Sequence, residues 1–181
     1  MNTLKRDTIN HIISVEGGHV NNPNDSGGET NFGITQTVAR SSGYHGPMVD
    51  LPRCVAFDIY ATRYWDSLGL DQVVEISQSA AVELADTGVN MGTGRAAEFL
   101  QRSLNALNNQ GKLFDDLVID RDIGPSTTSA LKAYIKARSV DGETVLCRAL
   151  NALQGAYYIE LAERRQKDES FVYGWLLNRV S

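Results

Sequence analysis

The sequence predicts a mainly α fold with one small β-hairpin or irregular lobe near residues 19–35. Two observations predict it. From Thr35 onward, apolar residues recur at helical spacing almost throughout. Residues 19–34 lack that period, and their "NNPND" and "SGG" are turn chemistry. A chain of 181 residues fits one domain with a sizeable core. We expect a single domain over 1–181, with 1–75 carrying the chemistry and 76–181 forming a helical second part.

The first helix is expected to start after Asn2 or Thr3, both good N-caps, with Ile9, Ile12 and Ile13 on its inner face. Gly17 and Gly18 stop it, because glycine readily takes the left-handed backbone that ends a helix. "TNFGI" reads as one arm of a short hairpin. A short helix over about 36–42 ends at Gly43. In "DLPRCVAFDIYATRYWDSL", Asp50 is the expected N-cap, with Pro52 in the first turn where a missing N–H costs little. "SQSAAVELADTGVNMG" and "RAAEFLQRSLNALN" read as two helices separated near Gly92 and Gly94. "GKLFDDLVIDRDIGPS" is a loop or small ribbon, and Ser126 is expected to cap "TTSALKAYIKAR". "GETVLCRALNALQGAYYIELAERRQ" is the longest amphipathic stretch, and "SFVYGWLLNRV" closes the chain.

Composition excludes several classes of function. The 42% apolar and 22% charged fractions are those of an ordinary globular protein. A net charge of −5 without a basic block argues against nucleic-acid binding through phosphate attraction. The polar N-terminus, "MNTLKRDTINHIIS", suits neither a signal peptide nor a membrane anchor. We therefore expect a soluble, cytoplasmically made protein with no membrane insertion. His11, His19, His45, Cys54 and Cys147 show no ligand spacing, so no metal and no cofactor is expected. The two cysteines sit in apolar patterns and read as buried thiols.

Glu16 is the residue that most needs explaining. Ile9, Ile12, Ile13 and Glu16 stand at i, i+3, i+4 and i+7, so a carboxylate extends an apolar stripe. Partial desolvation and the helix C-terminal dipole both favour the protonated acid that a general acid needs. Asp25, nine residues on in a polar turn, is the contrasting partner. Two carboxylates in opposed surroundings are the pattern of glycoside hydrolysis. The helix-end acid protonates the leaving oxygen, and the loop acid attacks the sugar or activates a water. Thr30, Asn31 and Thr35 are available to position that water. In an extended segment Asn31, Gly33 and Thr35 face one side, Thr30 and Phe32 the other.

"EGGHVNNPNDSGGETNFGIT" resembles the opening motif of glycoside hydrolase family 108, phage and bacterial muramidases with an E-G-G-Y-x-N-x-P-x-D-x-G-G-x-T-x-x-G-I-T pattern. "DTGVNMGTGRAAEFLQRSLNAL", "DRDIGPSTTSAL" and "YGWLLNRV" resemble later segments of the family. The resemblance implies a lysozyme-like fold. It also implies cleavage of the β-1,4 bond between N-acetylmuramic acid and N-acetylglucosamine in peptidoglycan. By that likeness the catalytic set is Glu16, Asp25 and Thr30, with His19, Asn31 and Thr35 as substrate-binding candidates. The third catalytic residue is one of Thr30, Asn31 and Thr35, with Thr30 at the place where the family pattern has threonine. His19 stands where tyrosine is usual, and still offers a planar ring to a sugar. The part from about residue 77 onward resembles the family's peptidoglycan-binding region, read here as the second lobe of one globule.

The implied biology is that of an endolysin. A monomer would be held in the host cytoplasm and released to the wall when a phage holin opens the inner membrane, with cytolysis as the result. A lytic transglycosylase and a non-catalytic wall-binding protein are the alternatives.

Other motifs read as structural. "GVNMGTGR" lacks the Lys-Ser/Thr of a P-loop, and "DRDIG" has Leu131 where a calcium loop needs glutamate. Asp86 is expected on the inner side of its helix, as a structural acid pairing with an arginine such as Arg95, with a cleft residue as the alternative. Tyr60, Tyr64, Trp65, Tyr157, Tyr158 and Trp175 read mostly as core, with one or two able to stack on sugars.

Overall fold

A computed structural model describes residues 2–21 and 28–180. The architecture is mainly α and lysozyme-like, with one small antiparallel hairpin. The residues group into two compact units, Met1–Ser67 and Leu68–Ser181.

In the first unit, α1 spans Thr3–Glu16, and the Asn2 side chain accepts the Leu4 N–H at its start. Ile9, Ile12 and Ile13 are buried as the spacing requires, and Gly17 ends the helix with φ +83°. Strands β1 (Thr30–Asn31) and β2 (Ile34–Thr35) pair antiparallel, Thr30 with Thr35 and Asn31 with Ile34. "TNFGIT" thus supplies both arms of the hairpin, where one arm was expected. Phe32 and Gly33 form its two-residue turn, both at positive φ (52° and 72°), as a type I′ hairpin requires. Val20 adds a bridge on the other side of Thr30, so Thr30 is paired on both edges.

Helix α2 (Gln36–Ser41) follows at once, capped by the Thr35 hydroxyl. Helix α3 (Arg53–Tyr60) runs on into a π-helical segment, Ala61–Asp66. Its N-cap is Pro52, with no side-chain cap bond; Asp50 instead closes a preceding 3₁₀ turn, Met48–Asp50. The proline fixes the extended backbone that a cap position needs, so the acid is not used. Tyr60, Trp65 and Met48 are buried in this unit's core.

The second unit is helical throughout: α4 (Leu70–Val74), α5 (Gln78–Met91), α6 (Thr93–Leu107), α7 (Pro125–Arg164) and α8 (Glu169–Arg179). The Ser77 hydroxyl caps α5, and Gly92, at φ 88°, separates α5 from α6. Gly94 lies inside α6. Helix α7 begins at Pro125, so Ser126 is in its first turn and Gly124 is the cap. It is broken at Ser139 (φ 53°), between the two helical stretches read from the sequence. Asn105 and Asn108 hold the 109–117 loop through bonds to Leu117, Phe114 and Leu113 backbone groups.

Asp86 pairs with Arg179 at 2.8 Å, correcting the expected Arg95. Arg95 is taken up by Glu98 in its own helix at 2.9 Å, an i,i+3 neighbour that needs no tertiary contact. Both cysteines are free, but Cys54 is exposed and only Cys147 is half-buried, correcting the reading of two buried thiols. Cys54 lies in the first turn of α3, on the side that does not face the core. Among the described residues, no helix is long and apolar enough to cross a membrane.

Candidate active site

Glu16 is the last residue of α1, half-buried at the end of the Ile9–Ile12–Ile13 stripe. Its carboxylate lies against the hairpin turn. A methyl group placed on Gly33 would stand 2.7 Å from Glu16 Oε2 and 2.9 Å from Glu16 Cβ. Only a residue without a side chain lets the turn approach the glutamate this closely, and only glycine takes φ +72° without strain.

The third wall is Tyr60. Its buried hydroxyl donates to the Phe32 carbonyl at 2.9 Å and would stand 2.9 Å from a methyl on Gly33. Glu16, Gly33 and Tyr60 therefore converge on one point, from three separated stretches of chain. Sequence reading assigned Tyr60 to the core, and it is buried. Its hydroxyl also fixes the turn beside Glu16. No spacing rule could have signalled that, because residues 16, 33 and 60 are joined only by packing.

The remaining candidates divide by face. Cross-strand partners share a face, so Thr30 and Thr35 lie together on the more open side. Asn31 and Ile34 lie on the buried side, 4% and 3% exposed. This corrects the extended-strand reading, which set Asn31 beside Thr35. The two-residue turn reverses the chain between them. Asn31 Nδ2 donates to the Met48 carbonyl at 2.7 Å and lies 3.4 Å from that of Val49, so its amide ties the hairpin to the 3₁₀ turn. Thr35 Oγ1 accepts the Val38 N–H at 3.2 Å, starting α2. The His19 Nε2 sits 2.8 Å from Glu29 Oε1, and Gln36 Nε2 donates to Glu29 Oε2 at 3.2 Å. Glu29 thus holds the His19 ring beside the strand that carries Thr30. Asp25 lies outside the described residues. Val20 and Thr30, paired by backbone bonds of 2.8 and 2.9 Å, hold the chain on either side of its segment.

The arrangement offers a helix-end carboxylate, closely backed by a glycine turn, next to a polar strand with a hydroxyl and a bracketed histidine. Among the described residues, no group of three His, Cys, Asp or Glu is placed to hold a metal.

Residues 9–92, which contain all these side chains, match the family model of glycosyl hydrolase 108. The first half of the chain belongs to that family. Residues 95–180 match a predicted peptidoglycan domain. Together the two matches support glycoside hydrolase activity in general, with peptidoglycan as the partner. Among solved structures, that of Brucella abortus SagA is similar at 25% identity, covering 97% of this chain and 95% of that one, with a TM-score of 0.60. No curated protein sequence matched.

In the second unit, sequence reading also passed over Glu83. Burial, reinforced by the charge of Asp86, raises its pKa to about 7 against a hydrogen bond from Asn151. Its Oε1 is buried with no hydrogen-bond partner among the described residues. Its signal in the sequence was position alone, on α5 three residues before Asp86.

Proposed function

We propose that the chain is an endolysin-type N-acetylmuramidase. It hydrolyses the β-1,4 bond between N-acetylmuramic acid and N-acetylglucosamine, and so lyses bacterial cells. The observation that carries the reading is the Glu16 carboxylate, set at the end of an apolar helix stripe and packed on the Gly33 turn.

In this reading Glu16 protonates the glycosidic oxygen as the C–O bond breaks. Asp25, with Thr30, takes a proton from a water that attacks the opposite face of the sugar, giving inversion. Thr30 suits this task because it lies on the open face of the hairpin, while Asn31 is turned inward and bonded to backbone. His19, on the strand edge, offers its ring to the sugar, and Thr35 lies across from Thr30. The proposed biology is bacteriophage lysis, with a holin admitting a monomeric enzyme to the wall.

The test is muropeptide mass spectrometry after digestion of purified sacculi, run beside Glu16→Gln. The expected products have reducing ends, and the variant is folded but inactive. Products one water lighter would make the enzyme a lytic transglycosylase. Full activity in Glu16→Gln would remove the assignment altogether.

A further inference from the structure

A cavity of about 540 Å³ opens in the first unit between the end of α2 and one side of α3. Asp58 leaves α3 roughly 200° round from Tyr60 at 3.6 residues per turn, so the cavity lies on the face of that helix opposite the Glu16 site. Nothing in the proposed chemistry uses it. Its volume falls in the range of small-molecule sites, about 300–1,000 Å³.

The cavity is built rather than incidental. Ile59, 4% exposed, and Val55 line it with apolar surface. Tyr44 lines it too and is fixed twice. Its hydroxyl donates to the Pro47 carbonyl at 2.8 Å, and a methyl on Gly46 would come within 2.6 Å of that hydroxyl. Arg40 donates to the carbonyls of Tyr44 and Gly46 at 2.9 and 2.7 Å, holding the turn that presents the ring. The polar lining carries Ser42, Thr62, Asp58 and Arg63. Arg63 spends one N–H on Ser41 Oγ at 3.1 Å. The Asp58 carboxylate has no hydrogen-bond or ion-pair partner among the described residues.

We propose that this cavity is a second carbohydrate site, holding one N-acetylated aminosugar of a glycan strand away from the point of cleavage. A pre-set aromatic ring suits the C–H face of a pyranose, and the apolar lining suits an acetamido methyl group. Asp58 offers an acceptor and Arg63 a donor to neighbouring sugar hydroxyls. Their charges cancel, which favours a neutral polyhydroxyl ligand over a carboxylate or an ammonium group. The proposal rests on peptidoglycan being the partner.

The probe is tri-N-acetylchitotriose, titrated into ¹⁵N-labelled full-length Glu16→Gln protein. Amide shifts are expected at Gly43, Tyr44, Asp58 and Thr62. Asp58→Ala and Arg63→Ala, both exposed positions, should each weaken that binding at least tenfold while melting as folded proteins. No shifts at these amides, or wild-type affinity in both variants, overturns the proposal. A parallel titration uses a free stem peptide. Shifts with the peptide but not with chitotriose also overturn the carbohydrate assignment. Failure here is separable from failure of the muramidase reading, which falls if Glu16→Gln still cleaves sacculi or if the products are one water lighter.

Discussion

Gly33→Ala tests the Glu16 site most directly. The new methyl would meet Glu16 Oε2 at 2.7 Å, Glu16 Cβ at 2.9 Å and the Tyr60 hydroxyl at 2.9 Å. All three distances are below any ordinary carbon contact, so either the turn or the glutamate must move. Alanine at φ +72° adds about 1–2 kcal/mol of backbone strain, and overpacking a fitted site adds about 1–3 kcal/mol. The expected loss of stability is therefore about 2–5 kcal/mol. Activity should fall further than stability alone explains. Displacing a catalytic group by an ångström costs on the order of 100-fold in rate. The assay is turbidity loss of outer-membrane-permeabilised cells, at a temperature where a melting curve shows the variant folded. Gly18→Ala is the internal control, because nothing stands within 4 Å of its added methyl. It should stay within about 0.5 kcal/mol of the parent. A Gly33→Ala protein with parental stability and rate would refute the close packing of the turn on Glu16.

Two further outcomes are expected. Asn31→Ala should cost about 1–3 kcal/mol by chemical denaturation, because it strips a donor from the Met48 carbonyl in a buried place. Removing a merely exposed polar contact would leave the midpoint unmoved. Glu83 should make stability fall as pH rises. Its folded pKa of about 7 exceeds the unfolded value of 4.5, so its contribution is complete below about 4.5 and lost on passing through 7. The change is at most about 3 kcal/mol, worth roughly 5–10 °C in melting temperature between pH 5 and 8. Glu83→Gln should flatten that slope, and an unchanged slope would contradict the burial of its charge.

Most helices were legible because one apolar stripe per helix suffices to place it. Ile9, Ile12 and Ile13 mark α1, Asn2 caps it and Gly17 ends it, all within local sequence. Caps failed where two signals competed. At α3 the stiffness of Pro52 displaced Asp50, and at α7 Pro125 started the helix ahead of Ser126. The hairpin was half seen. "TNFGIT" carries the turn, yet the side each residue faces depends on where the chain reverses. The reversal at Phe32 and Gly33 separated Asn31 from Thr35 and set it on the buried face with Ile34.

The sequence by itself determined the helical class, the family motif and the placing of Glu16 at the end of an apolar stripe, since these follow from periodicity and residue type at short range. Tertiary structure alone decided the surroundings. It set Gly33 and Tyr60 against Glu16, gave Asp86 to Arg179, turned Asn31 onto the Met48 carbonyl, and opened the Tyr44 cavity behind α3. Each of these joins residues far apart in the chain, and the physical reason is the same throughout. Helical periodicity fixes which side of a helix is apolar, but only close packing fixes which distant atoms that side will meet.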